Sequence, residues 1–392
     1  MYLTKSIIPL FTLTVLLSQW ACKPDPIEEP ASGAIAISNK VYSENPQTWT
    51  NHNTDGVDYI ITGRILFQLN STLTIEPGTE IVFENNGSLE MNATSVHANG
   101  VSDDPIIFRG KDNTKGYWKG IILYGKTDNQ LNYCTIQDAG GGTGTGVGAV
   151  VVGNALGDAG LSITNSRILN SASVGLNVHD ESTLGAFSSN TITNCDYVGS
   201  VTANSLGQLA GTANVLTGNT HDQVKVKGDQ VRKSGLWPAL PVAFLFSGET
   251  QIENEITVEA GATLLFNADA EFVLYKNAST TAKLYADGTP AKPILFKGAN
   301  TVAGYWKGIN VNAGLAHLTY CNITDGGKSG TSPNNGILYI TKALGDVNVT
   351  IQHCTVGNSS NHGICIRTNT LANVVQSNNL FSGITGENVH SW

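Results

Sequence analysis

The chain has 392 residues, enough by length alone for one large core or two domains. Only 14% are charged and helix formers are sparse, while Gly (43 residues), Asn, Thr, Ser, Val and Ile dominate, the composition of short strands joined by tight turns. A net charge of −9 argues against a nucleic-acid partner, which needs clustered Lys and Arg; the one local basic run, Lys225, Lys227, Arg232 and Lys233, reads as a solvated strand face.

At the N-terminus, Lys5 precedes an apolar stretch from Ile7 to Leu17 that is too short to span a bilayer as a mature helix. This predicts a signal peptide over residues 1–21. Gln19-Trp20-Ala21-Cys22 resembles a bacterial lipoprotein cleavage site, with Gln19 where Leu is usual. The resemblance implies lipidation at Cys22, export across the inner membrane, and an outer-membrane lipoprotein exposed on the cell surface. Its lipid would make the outer membrane a partner. Residues 22–32 carry Pro24, Pro26, Pro30, Asp25, Glu28 and Glu29, and read as an extended flexible tether.

The rest of the chain says nearly the same thing twice. LTIEPGTEIVF at 73–83 returns as ITVEAGATLLF at 256–266, and DDPIIFRG at 103–110 as AKPILFKG at 291–298. GYWKGI occurs at 116–121 and again at 304–309, an offset of 188 that holds over most of the repeat. Strand-like pieces such as Leu73 to Ile75, Ile81 to Phe83 and Leu89 to Met91 are each closed by Gly, Asn or Asp. Strands this short with so many turns predict an all-β fold, a parallel β-helix with about three strands per coil. Two homologous halves, 33–222 and 223–392, would form one continuous solenoid. A second likeness, Asn214 to Gly218 with Asn379 to Gly383, is offset by 165; the difference from 188 is about one coil, so 180–205 reads as an extra coil.

Aligned on this logic, Cys134, Ser166, Asn190, Cys321, Cys354 and Asn378 or Asn379 form one column. Ile136, Ile168, Ile192, Ile323 and Val356 follow two residues after the first five, so the column should face inward. The Asn members should hydrogen-bond turn backbone between coils. Five cysteines follow Cys22, an odd number, and stacked parallel side chains suit a disulfide poorly; Cys321 and Cys354 read as free thiols, with a bridge as the alternative.

The phrases Leu73 to Thr79, Pro105-Ile106-Ile107-Phe108 and Gly116 to Ile121, with their second copies, resemble those of secreted, right-handed parallel β-helix lipoproteins with a pectin-lyase-like fold. The resemblance covers nearly all of the mature chain. Its motifs are structural, so it implies a fold and a location more than a reaction. The fold does host polysaccharide lyases and glycoside hydrolases, so chemistry has to be sought. The D-D pair of polygalacturonase-like members is matched only by Asp103-Asp104, in a turn, and their R-I-K is missing. Asp180 and Glu181, with Asp196 a coil later and His179 adjacent, form the best acidic cluster: candidates for catalysis (Asp180, Glu181) or ligand contact (Asp196, His179) and a place where a Ca²⁺ could sit. Between Arg167 and Lys225 there is no Lys or Arg to serve as a base. Trp118 and Trp306 are further ligand candidates, although a coil-corner packing role suits them better. His353, Cys354, His362 and Cys365 suggest zinc, but alternation points Cys354 inward and His353 outward, so no zinc site is expected and, Ca²⁺ at the acidic cluster aside, no cofactor. These readings favour a non-enzymatic binding or adhesion module for polysaccharide or surface glycan. A polysaccharide-active enzyme and a structural stalk are the alternatives.

Overall fold

The computed structural model describes residues 33–53, 56–126, 128–144, 146–153, 157–179, 181–328 and 335–392. The predicted signal peptide, the tether with Cys22, and Asp180 lie outside the described residues.

The chain winds into a right-handed parallel β-helix. One 14-stranded sheet runs from Val41–Tyr42 to Leu380–Ile384, through the whole solenoid. A 7-stranded and a 6-stranded sheet flank it as far as Thr191–Thr193 and Thr183–Ser188. A different 7- and 6-stranded pair flank it from Gln230–Val231 and Gly235–Trp237 onward. At the joint, the segment Ala203–Leu209 is a 3₁₀ helix where a strand would be expected. Tyr197–Thr202 and His221–Lys227 pair with each other across this coil, both in the through sheet.

The joint shifts the phase of the repeat. The phrase at 73–83 supplies Leu73–Ile75 and Glu80–Phe83, both in the first pair of flanking sheets. Its copy supplies Glu255–Val258 to a flanking sheet but Thr263–Phe266 to the through sheet. Likewise Ile106–Gly110 lies on a flanking sheet and its copy Ile294–Gly298 on the through sheet. The second copy is thus turned by one face about the solenoid axis. The expected single column is therefore two: Cys134, Ser166 and Asn190 beside a flanking sheet, and Cys321, Cys354 and Asn379 beside the through sheet.

Within each column the local rule holds. Ser166 Oγ accepts the Cys134 N–H at 3.0 Å, Asn190 Oδ1 the Ser166 N–H at 3.1 Å, and Asn214 Oδ1 the Asn190 N–H at 2.9 Å. In the other column Cys354 Sγ accepts the Cys321 N–H at 3.4 Å and Asn379 Oδ1 the Cys354 N–H at 2.9 Å. The residue before each member is left-handed: Tyr133, Asn165, Ser189, Tyr320, His353 and Asn378, with φ from 48 to 56°. A second left-handed residue follows five positions on, at Asp138, Asn170, Asn194, Asp325, Asn358 and Gly383. A short strand bounded by two sharp corners needs this backbone, which Asn, Asp and Gly tolerate best. The side chains inside the corners then satisfy amides that the turns leave without strand partners.

Ile136, Ile168, Ile192, Ile323 and Val356 are all buried in one continuous core. Cys134, Cys195, Cys321, Cys354 and Cys365 are free and buried. Trp118 stacks on Phe83 and Trp306 on Phe266, each at 3.9 Å between centroids. Their indole N–H groups donate to Gln137 O and Thr324 O, both at 2.8 Å.

Candidate functional site

Strand register fixes a row of outward side chains along the through sheet: Val151, Asn177, Ser200, Lys225, Leu245. At the joint Asn177, Ser200, Lys225 and Leu245 of this row line a groove of about 500 Å³. Tyr197, Lys227 and Asn267 also line it. Gly144 and Val147, from the glycine-rich stretch, stand on one side of it. Two side chains of the next coil tie that stretch down, since Asn177 Nδ2 and Ser173 Oγ donate to Val147 O at 3.0 and 3.4 Å.

The pairing of Tyr197–Thr202 with His221–Lys227 is irregular between Tyr197 and Gly199. Such bulges re-aim side chains. The Tyr197 ring stacks on His221 at 4.3 Å, and Lys225 Nζ sits 3.7 Å from the Tyr197 ring centre, a cation–π contact. His221 Nδ1 lies 3.2 Å from Asp196 Oδ1. Burial, and next the Asp196 charge, raise the Tyr197 phenol above its ordinary value. Lys225 and Lys227 lie two positions apart on one strand and both line the groove. None of its described lining residues is Asp or Glu.

The residues singled out from sequence separate in space. His179 lines the groove, its N–H donating to Val152 O at 2.9 Å. Glu181 pairs with Lys233 at 2.6 Å and Asp196 with His221, and with His179 they do not gather around one point. Lysines absent from residues 168–224 reach this region from later coils, Lys233 onto Glu181 and Lys225 into the groove with His179. Trp118 and Trp306 offer no surface to a ligand: both are fully buried, stacked and hydrogen-bonded. The N-T-D of polygalacturonase-like members, expected to be missing as their R-I-K is, does occur as Asn53-Thr54-Asp55, of which positions 54 and 55 lie outside the described residues. Asp103 and Asp104 are exposed in a turn.

Sequence reasoning missed the groove. The available signal was the pair Lys225 and Lys227 at alternate positions of one strand, which places both on one side of a sheet. It could not show that Gly144 and Val147 stand beside them.

Residues 47–153 match a family model described as a pectate-lyase like beta helix domain. No curated protein and no solved structure gives a significant match. The matched stretch ends before most of the groove: only Gly144 and Val147 of its lining fall inside.

Proposed function

We propose that this protein is a non-enzymatic glycan-binding module, displayed on the cell surface through a lipid at Cys22, and that it holds an acidic polysaccharide in the groove at the joint. One observation carries the reading. In a chain of net charge −9, two lysines of one strand enter a groove that no described carboxylate lines. Lysine is a compact point charge with three donors, suited to a carboxylate or sulfate. Asn177, Ser200 and Asn267 add donors and acceptors for hydroxyls, on coils spaced about 4.8 Å apart. The match at 47–153 supports a relationship to polysaccharides.

A second reading has its own observation. His179, Tyr197 and Lys225 share the groove, and each type of group can move a proton. A uronate lyase would use one as base while a lysine neutralises the sugar carboxylate.

The full chain is tested against acidic and neutral glycans, with Lys225→Glu and Lys227→Glu together as the control. Binding confined to acidic glycans, weakened by salt and lost in the double variant, is expected. A blank panel sinks the binding reading in favour of a stalk. Chain shortening with unsaturated uronate ends would replace it with the lyase.

A further inference from the structure

The last coil carries a second constellation, on a different sheet from the groove. Strand register places Tyr339, Cys365 and His390 side by side on one row. Cys365 is fully buried yet stands apart from the hydrophobic core, to which its strand neighbours Ile364 and Ile366 belong. Its thiol thus lies on the outer side of the sheet, beside the stacked rings of Tyr339 and Trp392. His362 begins the same strand, and its ring stacks on that of His390 at 4.1 Å, within 9° of parallel. One ligand atom each from His362, Cys365 and His390 lies within 4.8 Å of the others.

Glu387 holds both imidazoles. Its backbone N–H donates to His362 Nδ1 at 2.9 Å, which puts the neutral ring's proton on Nε2, so on ligation this ring gives up that hydrogen bond and turns one lone pair to the ion. Its carboxylate Oε1 lies 2.9 Å from His390 Nδ1. A carboxylate on one nitrogen of a histidine fixes the ring's orientation and makes the other nitrogen a better donor.

We propose that His362, Cys365 and His390 form a site for a divalent transition metal, with Zn²⁺ the best fit. Two imidazoles and a thiolate suit a borderline-soft ion and exclude Mg²⁺ or Ca²⁺, which take oxygen ligands. Bonds of roughly 2.0–2.3 Å in a tetrahedron put donors roughly 3.3–3.8 Å apart, so the group closes by about 1 Å on the ion. The thiol proton leaves to solvent on ligation. Three protein donors leave a fourth position to water. His353 and Cys354, grouped with these residues in sequence, take no part: the His353 ring stacks on Tyr320 at 4.8 Å and Cys354 is buried in the core.

The test titrates the full chain, freed of metal by a chelator, with Zn²⁺ alone, and then with Co²⁺ as a spectroscopic substitute. Saturable binding of about one ion per chain and a thiolate-to-cobalt charge-transfer band are expected. Cys365→Ser should abolish the band, whereas Cys354→Ser should keep it. Glu387→Gln, at an exposed position that leaves the fold intact, should weaken Zn²⁺ binding roughly 10–100-fold. Absent saturable binding, a cobalt spectrum without the thiolate band, or full affinity in Cys365→Ser would each overturn the site.

Discussion

Asn190→Ala tests the corner ladder most directly. Asn190 is 2% exposed. Its Oδ1 accepts the Ser166 N–H at 3.1 Å and its Nδ2 donates to Ile163 O at 2.9 Å. Alanine leaves both backbone groups inside the corner with no water to replace the amide. A buried polar group stripped of its partner costs about 1–3 kcal/mol, so the two together cost roughly 2–6 kcal/mol. Asn190→Ser supplies the internal comparison, because Ser166 already does this work one coil earlier. There the hydroxyl accepts the Cys134 N–H at 3.0 Å and donates to Thr164 O at 2.8 Å. Serine at 190 should therefore recover about half of the loss. The assay is urea unfolding followed by far-UV circular dichroism, comparing midpoints at constant slope. Asn190→Ala within about 0.5 kcal/mol of the parent would refute the reasoning, since that is the range of ordinary surface changes. So would a serine variant as unstable as the alanine one.

Trp306→Phe keeps the stack on Phe266 but strips Thr324 O of its donor, and should cost about 1–3 kcal/mol by the same assay; Trp306→Ala should cost about 3–5. Burial pushes the Cys195 thiol up to about 11. The unfolded thiol ionises near about 8.5, so the folded state keeps its proton longer and stability falls as pH rises from there towards 11. Alkaline unfolding midpoints should show this drop and Cys195→Ala should make it shallower, the remainder coming from Cys134 and Cys365, which burial also raises, and from Cys321, raised by its hydrogen bond with Cys354 and then by burial; a parent curve level over that window counts against it. Asp58 is fully buried and accepts the N–H groups of His52, Asn53 and Glu80 at 2.9, 2.7 and 2.9 Å. Asp58→Ala should lower the thermal midpoint by several degrees, and an unchanged midpoint would mean that water replaces the carboxylate.

What sequence could show here was set by range. Strands, corners and inward positions depend on residues within five or so of each other, and Ile136, Asn190 and Cys354 fell where alternation put them. The face on which a coil's strand stands depends on the coil below it. No local residue encodes that, so Cys134 and Cys321 looked like one column although the joint turns the second copy by a face. The groove and the place of His390 beside His362 and Cys365 were hidden for the same reason. Each gathers residues from different coils, and no residue type marks those coils as neighbours. Free thiols were legible because a stacked column favours side-by-side packing over a bond. Trp118 and Trp306 drew attention as aromatic ligand candidates, yet each belongs to the repeated scaffold phrase, which codes for packing.

The joint lets scaffold and site be separated by one deletion. Each coil contacts mainly the coils on either side of it, so a solenoid tolerates removal of a whole coil if the new neighbours match. Asn190 and Asn214 lie 24 residues apart and play the same part, each offering Oδ1 to the N–H of the coil before. Deleting residues 190–213 sets Asn214 directly after Ser189, where its Oδ1 can take over the Ser166 N–H. The left-handed corner at Ser189 stays in place. The deletion also removes Tyr197, Ser200 and Thr202, which line the groove, and the 3₁₀ segment Ala203–Leu209. The shortened chain should fold with parallel β-helix circular dichroism and a cooperative melt, bind Zn²⁺ as before, and lose glycan affinity. Insoluble or molten material would mean that the 3₁₀ coil is part of the scaffold itself. Retained glycan affinity would mean that Lys225 and Lys227, which the deletion keeps, bind without Tyr197, Ser200 and Thr202.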